Sequence, residues 1–199
     1  MKHLPNIISI IRLVLISFIA FFLLKGTVLS SWIAMFLFLI GIFSDFLDGY
    51  LARKLNAVSN IGKILDATVD KVFFFGLLIC FILEGTFSLK WLWALLAIHC
   101  TRDVGVTYIR MILTKKDIYL GASSMGKFKT VLQFVFLFLG MCLVLLESYI
   151  AQSAYGLEAW LDFIKLSAYL IYIVSIILSS ISGIAYLNLY LKHQNNHES

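Results

Sequence analysis

Six long apolar stretches, each close to the length needed to cross a membrane, divide this chain of 199 residues. They run over approximately residues 7–24, 31–51, 61–83, 91–113, 131–146 and 164–191. Overall, 61% of the residues are hydrophobic and 14% are charged, and there is a single proline. A soluble domain of this size needs a polar surface that this composition cannot supply. The sequence therefore predicts an all-α membrane protein with six transmembrane helices, forming one domain over residues 1–199.

Basic residues concentrate in two of the loops between the apolar stretches, which orients the chain by the positive-inside rule. The basic residues of the two loops are Arg53, Lys54 and Lys63 in one loop and Lys115, Lys116, Lys127 and Lys129 in the other. We expect both termini and both loops on the cytoplasmic side of a bacterial inner membrane, with a polar, disordered tail over residues 193–199. The basic residues flank apolar stretches and form no stripe with aromatic residues, so nucleic-acid binding is not expected.

Four aspartates interrupt the apolar pattern between the second and third stretches. Asp45 and Asp48 share one face of a helix, and Asp66 and Asp70 share one face of the next. Turn-forming residues lie between the pairs, so a helical hairpin can bring the four carboxylates together. Such a cluster near lipid requires cations among its charges, and oxygen ligands favour hard ions such as Mg2+ or Mn2+. The pattern predicts two such ions, which together can hold a diphosphate. The alternative is that the aspartates cap helices and pair with nearby basic residues, namely Arg53, Lys63 and Lys71.

The same stretch resembles the signature of the CDP-alcohol phosphatidyltransferase family at all eight of its fixed positions. These are Asp45-x2-Asp48-Gly49-x2-Ala52-Arg53-x8-Gly62-x3-Asp66-x3-Asp70. The resemblance implies metal binding by all four aspartates, with Asp70 also acting as the general base. It implies a homodimer and CDP-diacylglycerol as the donor substrate. The donor-binding residues that it implies are Asn6, Gly49, Ala52, Arg53, Ser59 and Gly62.

A second group of polar residues begins in the fourth apolar stretch. Arg102 and Arg110 are eight residues apart and share a helix face, while Lys127 and Lys129 follow in a serine-containing segment. Arginine at membrane depth is costly and usually functional, and arginine and lysine together suit a phosphate group. The alternatives are snorkelling of Arg110 to the membrane surface and an ion pair of Arg102 with Asp103 or a signature aspartate. His99, one turn before Arg102, is predicted to be a hydrogen-bonded core residue.

These basic residues, with an opening that contains Pro5, Asn6, Ser9 and Arg12, resemble the phosphatidylglycerophosphate synthase branch of the family. This likeness implies sn-glycerol 3-phosphate as the acceptor, bound through its phosphate by Arg102, Arg110, Lys127 and Lys129. Asp103 departs from the pattern, since glutamate is more usual at that position. Inositol phosphate, phosphatidylglycerol and serine remain open as acceptors. A small cation transporter is the alternative from another class, but it predicts carboxylates at the membrane midplane on broken helices.

Overall fold

In the computed structural model, the described residues of the chain form long α-helices. These are α1 (Leu4–Leu23), α2 (Val28–Lys54), α3 (Asn60–Glu84), α4 (Trp91–Lys115), α5 (Ser124–Ile150) and α6 (Glu158–Glu198). The structure describes the backbone of residues 4–54, 60–87, 90–115, 124–151 and 157–198, and most side chains of residues 10–45, 68–87, 90–112, 128–151 and 157–191. Each helix overlaps one predicted apolar stretch, so the all-α prediction is confirmed.

Three helices contain segments that are long and apolar enough to cross a membrane within the described part of the chain. They are Val28–Asp45 in α2, Phe128–Ile150 in α5 and Glu158–Ala185 in α6. Only 28% to 39% of the residues in these segments are buried inside the protein. Large apolar side chains cover the remaining faces; Leu29 is 72% exposed and Phe36 is 65% exposed. Lipid is the medium that such faces require, and the chain is an integral membrane protein.

A tight turn between α1 and α2 reverses the chain. Gly26 has a φ of 61°, in the left-handed region that favours glycine. The hydroxyl oxygen of Thr27 accepts the backbone N–H of Ser30 at 3.2 Å, and the Ser30 hydroxyl oxygen accepts the backbone N–H of Thr27 at 3.1 Å. This reciprocal pair caps the start of α2. The turn lets α2 pack along α1.

The chain divides into two compact units, of which the first contains α1, α2 and α3. It comprises Met1–Ser88 and Leu137–Lys165. Here α1 packs against both α2 and α3. The absence of a side chain at Gly41 permits close contact with α3, because a Cβ there would lie 2.9 Å from the Phe73 ring. Phe38 of α2 stacks on the same ring, with centroids 6.1 Å apart.

The second unit contains α4, the first part of α5 and most of α6. It comprises Leu89–Phe136 and Leu166–Ser199. Its apolar core includes the stacked rings of Phe136 and Tyr172, whose centroids are 4.8 Å apart. Polar side chains are buried in the same unit, including Asp103, Lys129, Gln133, Ser179 and Ser182. A buried polar group must be hydrogen-bonded to be tolerated, so these side chains must find partners within the unit.

The last helix extends further than the composition of the tail indicates. The sequence predicts disorder over residues 193–199, whereas α6 continues to Glu198. Extending an existing helix adds a backbone hydrogen bond with each residue and needs no new nucleation. The tail also contains neither proline nor glycine to end the helix.

Candidate functional site

The four aspartates of the signature lie on two consecutive helices, as predicted. They occupy the C-terminal half of α2 and the N-terminal half of α3. The connection between these helices, residues 55–59, lies outside the described residues. The side chains of Asp45 and Asp70 are described, whereas those of Asp48 and Asp66 are not. The contacts of the site are therefore described for the first and the last aspartate of the signature.

Arg12 of α1 joins these two carboxylates. Its Nη1 atom lies 2.6 Å from Oδ1 of Asp45 and 2.8 Å from Oδ1 of Asp70. The arginine side chain is only 2% exposed, while the Asp45 and Asp70 side chains are 30% and 35% exposed. One nitrogen atom thus lies between oxygens from two helices, so the carboxylates converge on a single point. The two carboxylates themselves remain partly exposed, whereas the arginine between them is buried.

The position of Arg12 follows from the helical period of α1. Arg12, Ile16, Ile19 and Leu23 recur at helical spacing and are all buried. This face packs against α2 and α3. It approaches α3 closely at Gly76, where a Cβ would lie 3.2 Å from Cγ2 of Ile16. A buried charge on this face is tolerable because two carboxylates neutralise it.

Arg12 is the functional residue that the sequence alone did not identify as part of the site. It entered only through the resemblance of the N-terminal segment. Its available signal was a basic residue within an apolar stretch, which is costly unless paired. Arg53 and Lys63, two of the partners considered for the aspartates, have side chains outside the described part of the structure.

Asp45 and Asp70 fit a divalent cation by their chemistry, because carboxylate oxygens are the ligands that Mg2+ and Mn2+ prefer. In the structure, the position between their Oδ1 atoms is held by Nη1 of Arg12. Among the side chains that the structure describes, no group of three or more potential metal ligands occurs. The predicted four-carboxylate cluster also needs Asp48 and Asp66, so it stays a prediction.

A second polar cluster, in the other unit, centres on Asp103 of α4. The Nζ atom of Lys129 donates to both carboxylate oxygens of Asp103, at 2.6 Å and 2.7 Å. Nη1 of Arg102 donates to the same carboxylate at 2.7 Å, and the hydroxyl of Ser179 donates to it at 3.2 Å. Nη2 of Arg102 also donates to the hydroxyl oxygen of Ser182 at 2.7 Å. These five residues are called the Asp103 cluster below.

The Asp103 cluster contains two of the four residues predicted to bind the acceptor phosphate. Arg102 and Lys129 meet there, although they lie on different helices. The ion pair between Arg102 and Asp103, considered from the sequence as an alternative, is present. The side chains of Arg110 and Lys127 lie outside the described ones. Nothing in the sequence indicated the two serines of α6 beyond their being polar residues in an apolar stretch.

His99 is a core histidine, as predicted. Its side chain is buried, and its Nε2 atom lies 3.0 Å from Nε2 of Gln133 on α5. Its ring lies 5.8 Å from the ring of Tyr172, measured between centroids. The amide nitrogen of Gln133 can only donate, so His99 accepts this hydrogen bond. This hydrogen bond satisfies the Nε2 atom within the helix core and indicates a structural role.

The predicted nucleotide contacts lie on the helices of the first unit or next to them. Asn6 is on α1, Gly49, Ala52 and Arg53 are on α2, and Gly62 is on α3. Their side-chain surroundings, and Ser59 as a whole, lie outside the described residues. Their role in binding CDP-diacylglycerol stays a prediction.

The chain is similar in sequence to known proteins of one family. A family model described as CDP-alcohol phosphatidyltransferase matches residues 2–179 of the chain. The chain is 39% identical over 135 residues to a CDP-diacylglycerol–glycerol-3-phosphate 3-phosphatidyltransferase of Mycoplasma genitalium. It is 32% identical over 152 residues to the protein of that name from Mycoplasma pneumoniae, and 31% identical over 147 residues to the one from Bacillus subtilis.

These similarities cover most of this chain but less of some relatives. The matched regions are 67%, 67% and 68% of this chain, in the same order. They are 55% of the Mycoplasma genitalium protein, 65% of the Mycoplasma pneumoniae protein and 74% of the Bacillus subtilis protein. The chain therefore spans only a little more than half of the first of these relatives.

Proposed function

The chain belongs to the CDP-alcohol phosphatidyltransferase family, and we propose that it transfers the phosphatidyl group of CDP-diacylglycerol to sn-glycerol 3-phosphate. The products are phosphatidylglycerophosphate and CMP. The relatives described above carry the name of this reaction. The observation that carries the proposal is the convergence of Asp45 and Asp70 on Arg12, because it unites the two ends of the signature in space.

We assign the four signature aspartates, Asp45, Asp48, Asp66 and Asp70, to the binding of two divalent ions, Mg2+ or Mn2+. Two pairs of carboxylates on adjacent helices provide oxygen ligands for such ions. When bound, the ions supply neutralisation of the donor's diphosphate and stabilisation of CMP as the leaving group. Helices hold the carboxylates at fixed separations, which a flexible loop does not.

Asp70 acts as the general base in this proposal. Its carboxylate accepts the proton of the acceptor's hydroxyl group as the hydroxyl oxygen forms a bond to the β-phosphorus of the donor. The bond from that phosphorus to the oxygen shared with CMP breaks, and CMP leaves with the electron pair. Arg12 holds the Asp70 carboxylate through the contact at 2.8 Å, so the base is oriented before the substrates arrive.

The donor and acceptor bind through different sets of residues. We assign the cytidine diphosphate to Asn6, Gly49, Ala52, Arg53, Ser59 and Gly62. The phosphate of the acceptor is assigned to Arg102, Arg110, Lys127 and Lys129. Guanidinium groups donate paired hydrogen bonds to phosphate oxygens, and ammonium groups add positive charge. The meeting of two of these cations in the Asp103 cluster supports the acceptor assignment.

The proposed membrane arrangement follows from the distribution of charge. We place all six helices across a bacterial inner membrane, with both termini and the active site on the cytoplasmic side. The acceptor is water-soluble and the donor is a lipid, so a site at that interface reaches both. The protein acts as a homodimer in this proposal, with each chain forming one catalytic domain.

Release of CMP tests the function directly. Purified protein in detergent is given CDP-diacylglycerol and Mg2+, with or without sn-glycerol 3-phosphate. We expect CMP to form only when sn-glycerol 3-phosphate is present. If CMP were released only with inositol phosphate, serine or phosphatidylglycerol, the phosphatidyl-transfer reaction would stand, but the assignment of sn-glycerol 3-phosphate as the acceptor would be wrong. A folded, Mg2+-supplied protein that releases no CMP with any of these acceptors would contradict the enzymatic function.

Gly183 of α6 is a sensitive position for acceptor binding. A Cβ at this residue would lie 2.9 Å from Nε of Arg102 and 3.2 Å from Cγ2 of Val106. We expect Gly183→Ala to displace the guanidinium group and to raise the KM for sn-glycerol 3-phosphate about tenfold, the cost of one weakened charged hydrogen bond. Gly105→Ala on α4 is the matched control, since a Cβ there meets no atom within 4 Å among the described residues outside its own helix backbone. Equal KM values for the two variants would contradict the expectation.

A further inference from the structure

We propose that Asp103 is a positioning residue for the acceptor's phosphate, holding Arg102 and Lys129 together with the help of Ser179 and Ser182. This inference rests on the proposed function and deepens it. It brings α6 into the acceptor site, although the sequence places no predicted site residue on that helix. Asp103 acts here through the two cations and does not itself touch the substrate.

The contacts of Lys129 show how the positioning works. A lysine ammonium group ends a flexible stem of four carbons and is poorly oriented by itself. Here it contacts both oxygens of one carboxylate, at 2.6 Å and 2.7 Å. Lys129 and Asp103 are both buried, so water competes little for these hydrogen bonds. The carboxylate of Asp103 therefore fixes the position of the ammonium group beside the guanidinium group of Arg102.

The exposure of these three side chains shows where an anion can reach them. Arg102 and Lys129 are cationic, and both contact the carboxylate of Asp103. The side chain of Arg102 is 16% exposed, compared with 10% for Lys129 and 7% for Asp103. An anion therefore reaches this group at the guanidinium, whose planar donors match phosphate oxygens.

Helix α6 orients both partners of the ion pair. Ser182 accepts a hydrogen bond from Nη2 of Arg102 at 2.7 Å, and Ser179, three residues earlier, donates to Asp103 at 3.2 Å. Residues three apart on a helix lie on the same face, so both serines reach the pair from one side. The small size of Gly183 allows this face to approach the guanidinium group. The plane of the guanidinium fork is thereby set by contacts from two helices.

The test is Asp103→Asn, which removes the charge and keeps the shape of the side chain. We expect the KM for sn-glycerol 3-phosphate to rise roughly tenfold to a hundredfold, because both cations lose a charged hydrogen-bond partner. The KM for CDP-diacylglycerol should stay within about twofold. A purely electrostatic role predicts the opposite sign, since removing a negative charge would strengthen phosphate binding. An unchanged or lower KM for sn-glycerol 3-phosphate would therefore overturn the proposal.

Two further measurements separate positioning from a structural role. Asp103→Glu restores the charge, and we expect it to recover most of the lost affinity for sn-glycerol 3-phosphate. When CDP-diacylglycerol is left out and no turnover occurs, sn-glycerol 3-phosphate should raise the Tm of the wild-type protein more than that of Asp103→Asn. Equal ligand-induced shifts, or equal rises in both KM values, would show that Asp103 merely supports the fold.

Ser182→Ala keeps the test decisive if Asp103→Asn fails to fold. It removes one partner of Arg102 and should raise the KM for sn-glycerol 3-phosphate about threefold to tenfold. Ser180→Ala is the control, because the Ser180 hydroxyl donates to the carbonyl of Ile176 within its own helix, at 2.9 Å. No difference in KM between the two serine variants would count against the inference.

Failure of this inference is distinguishable from failure of the proposed function. Wild-type protein that uses another acceptor and ignores sn-glycerol 3-phosphate overturns both the acceptor assignment and this inference. Wild-type protein that requires sn-glycerol 3-phosphate, with unchanged KM values in the Asp103→Asn and Ser182→Ala variants, overturns the role of Asp103 alone.

Discussion

Replacing Asp70 by asparagine is expected to reduce the rate of CMP release by roughly a hundredfold to ten-thousandfold, the range that one general base contributes. The asparagine side chain has nearly the same shape and can still accept a hydrogen bond from Arg12. It carries no negative charge and cannot take a proton from the acceptor's hydroxyl group at neutral pH. The measurement is CMP release at saturating concentrations of both substrates and Mg2+.

The control for Asp70→Asn is the same substitution at an aspartate outside the proposed site. Asp162→Asn changes an exposed aspartate near the start of α6 and should leave the rate unchanged. Circular dichroism and Tm should show that both variants fold, because the expected loss is chemical. If Asp70→Asn kept more than about a tenth of the wild-type rate, Asp70 would not be the general base.

Arg12→Ala is expected to have the second large effect, on both stability and activity. It leaves Asp45 and Asp70 close together without the cation that now separates them. Removing one partner of such an ion pair lowers the free energy of unfolding by roughly 3 kcal/mol. This value is at the lower end for buried ion pairs because the carboxylates are about a third exposed. For a protein of this size that lowers the Tm by roughly 6–12 °C.

The activity of Arg12→Ala should fall by about a hundredfold, since a misplaced catalytic carboxylate costs rate even where the chemistry is intact. The cation dependence of Tm gives a readout that does not depend on turnover. We expect Mg2+ to raise the Tm of Arg12→Ala more than that of the wild-type protein, because the variant loses one positive charge beside the carboxylates of Asp45 and Asp70 and a divalent cation can replace it.

Two variants control for charge alone. Arg12→Lys keeps a positive charge and should recover part of the activity, because a single nitrogen atom makes both contacts. Lys25→Ala removes a cation just after α1, where it lies 4.4 Å from the Phe21 ring centroid, and should leave the rate unchanged. Wild-type Tm and activity in Arg12→Ala would contradict the role given to Arg12.

Much of the architecture, and the placement of the signature aspartates on two consecutive helices, could be predicted from the sequence. Apolar stretches of membrane length specify helices and an apolar surround, and both are local properties of the chain. The signature aspartates follow the same logic, because helical spacing determines which carboxylates share a face. The family resemblance, which rests on those spacings, is confirmed. The ends of the helices were less well predicted, since a helix continues into polar residues that neither period nor hydropathy marks.

The partners of the charged residues were decided only by the tertiary structure. Arg12 lies 58 residues from Asp70, and Arg102 lies 80 residues from Ser182. No local pattern connects positions so far apart, because their meeting depends on how whole helices pack. The sequence by itself determined a helical membrane protein with aspartates in the register of the CDP-alcohol phosphatidyltransferase signature. The packing of α1 on α2 and α3, and of α4 with α5 and α6, decided which cations the carboxylates of Asp45, Asp70 and Asp103 contact, since a charge inside an apolar bundle must be paired where it lies.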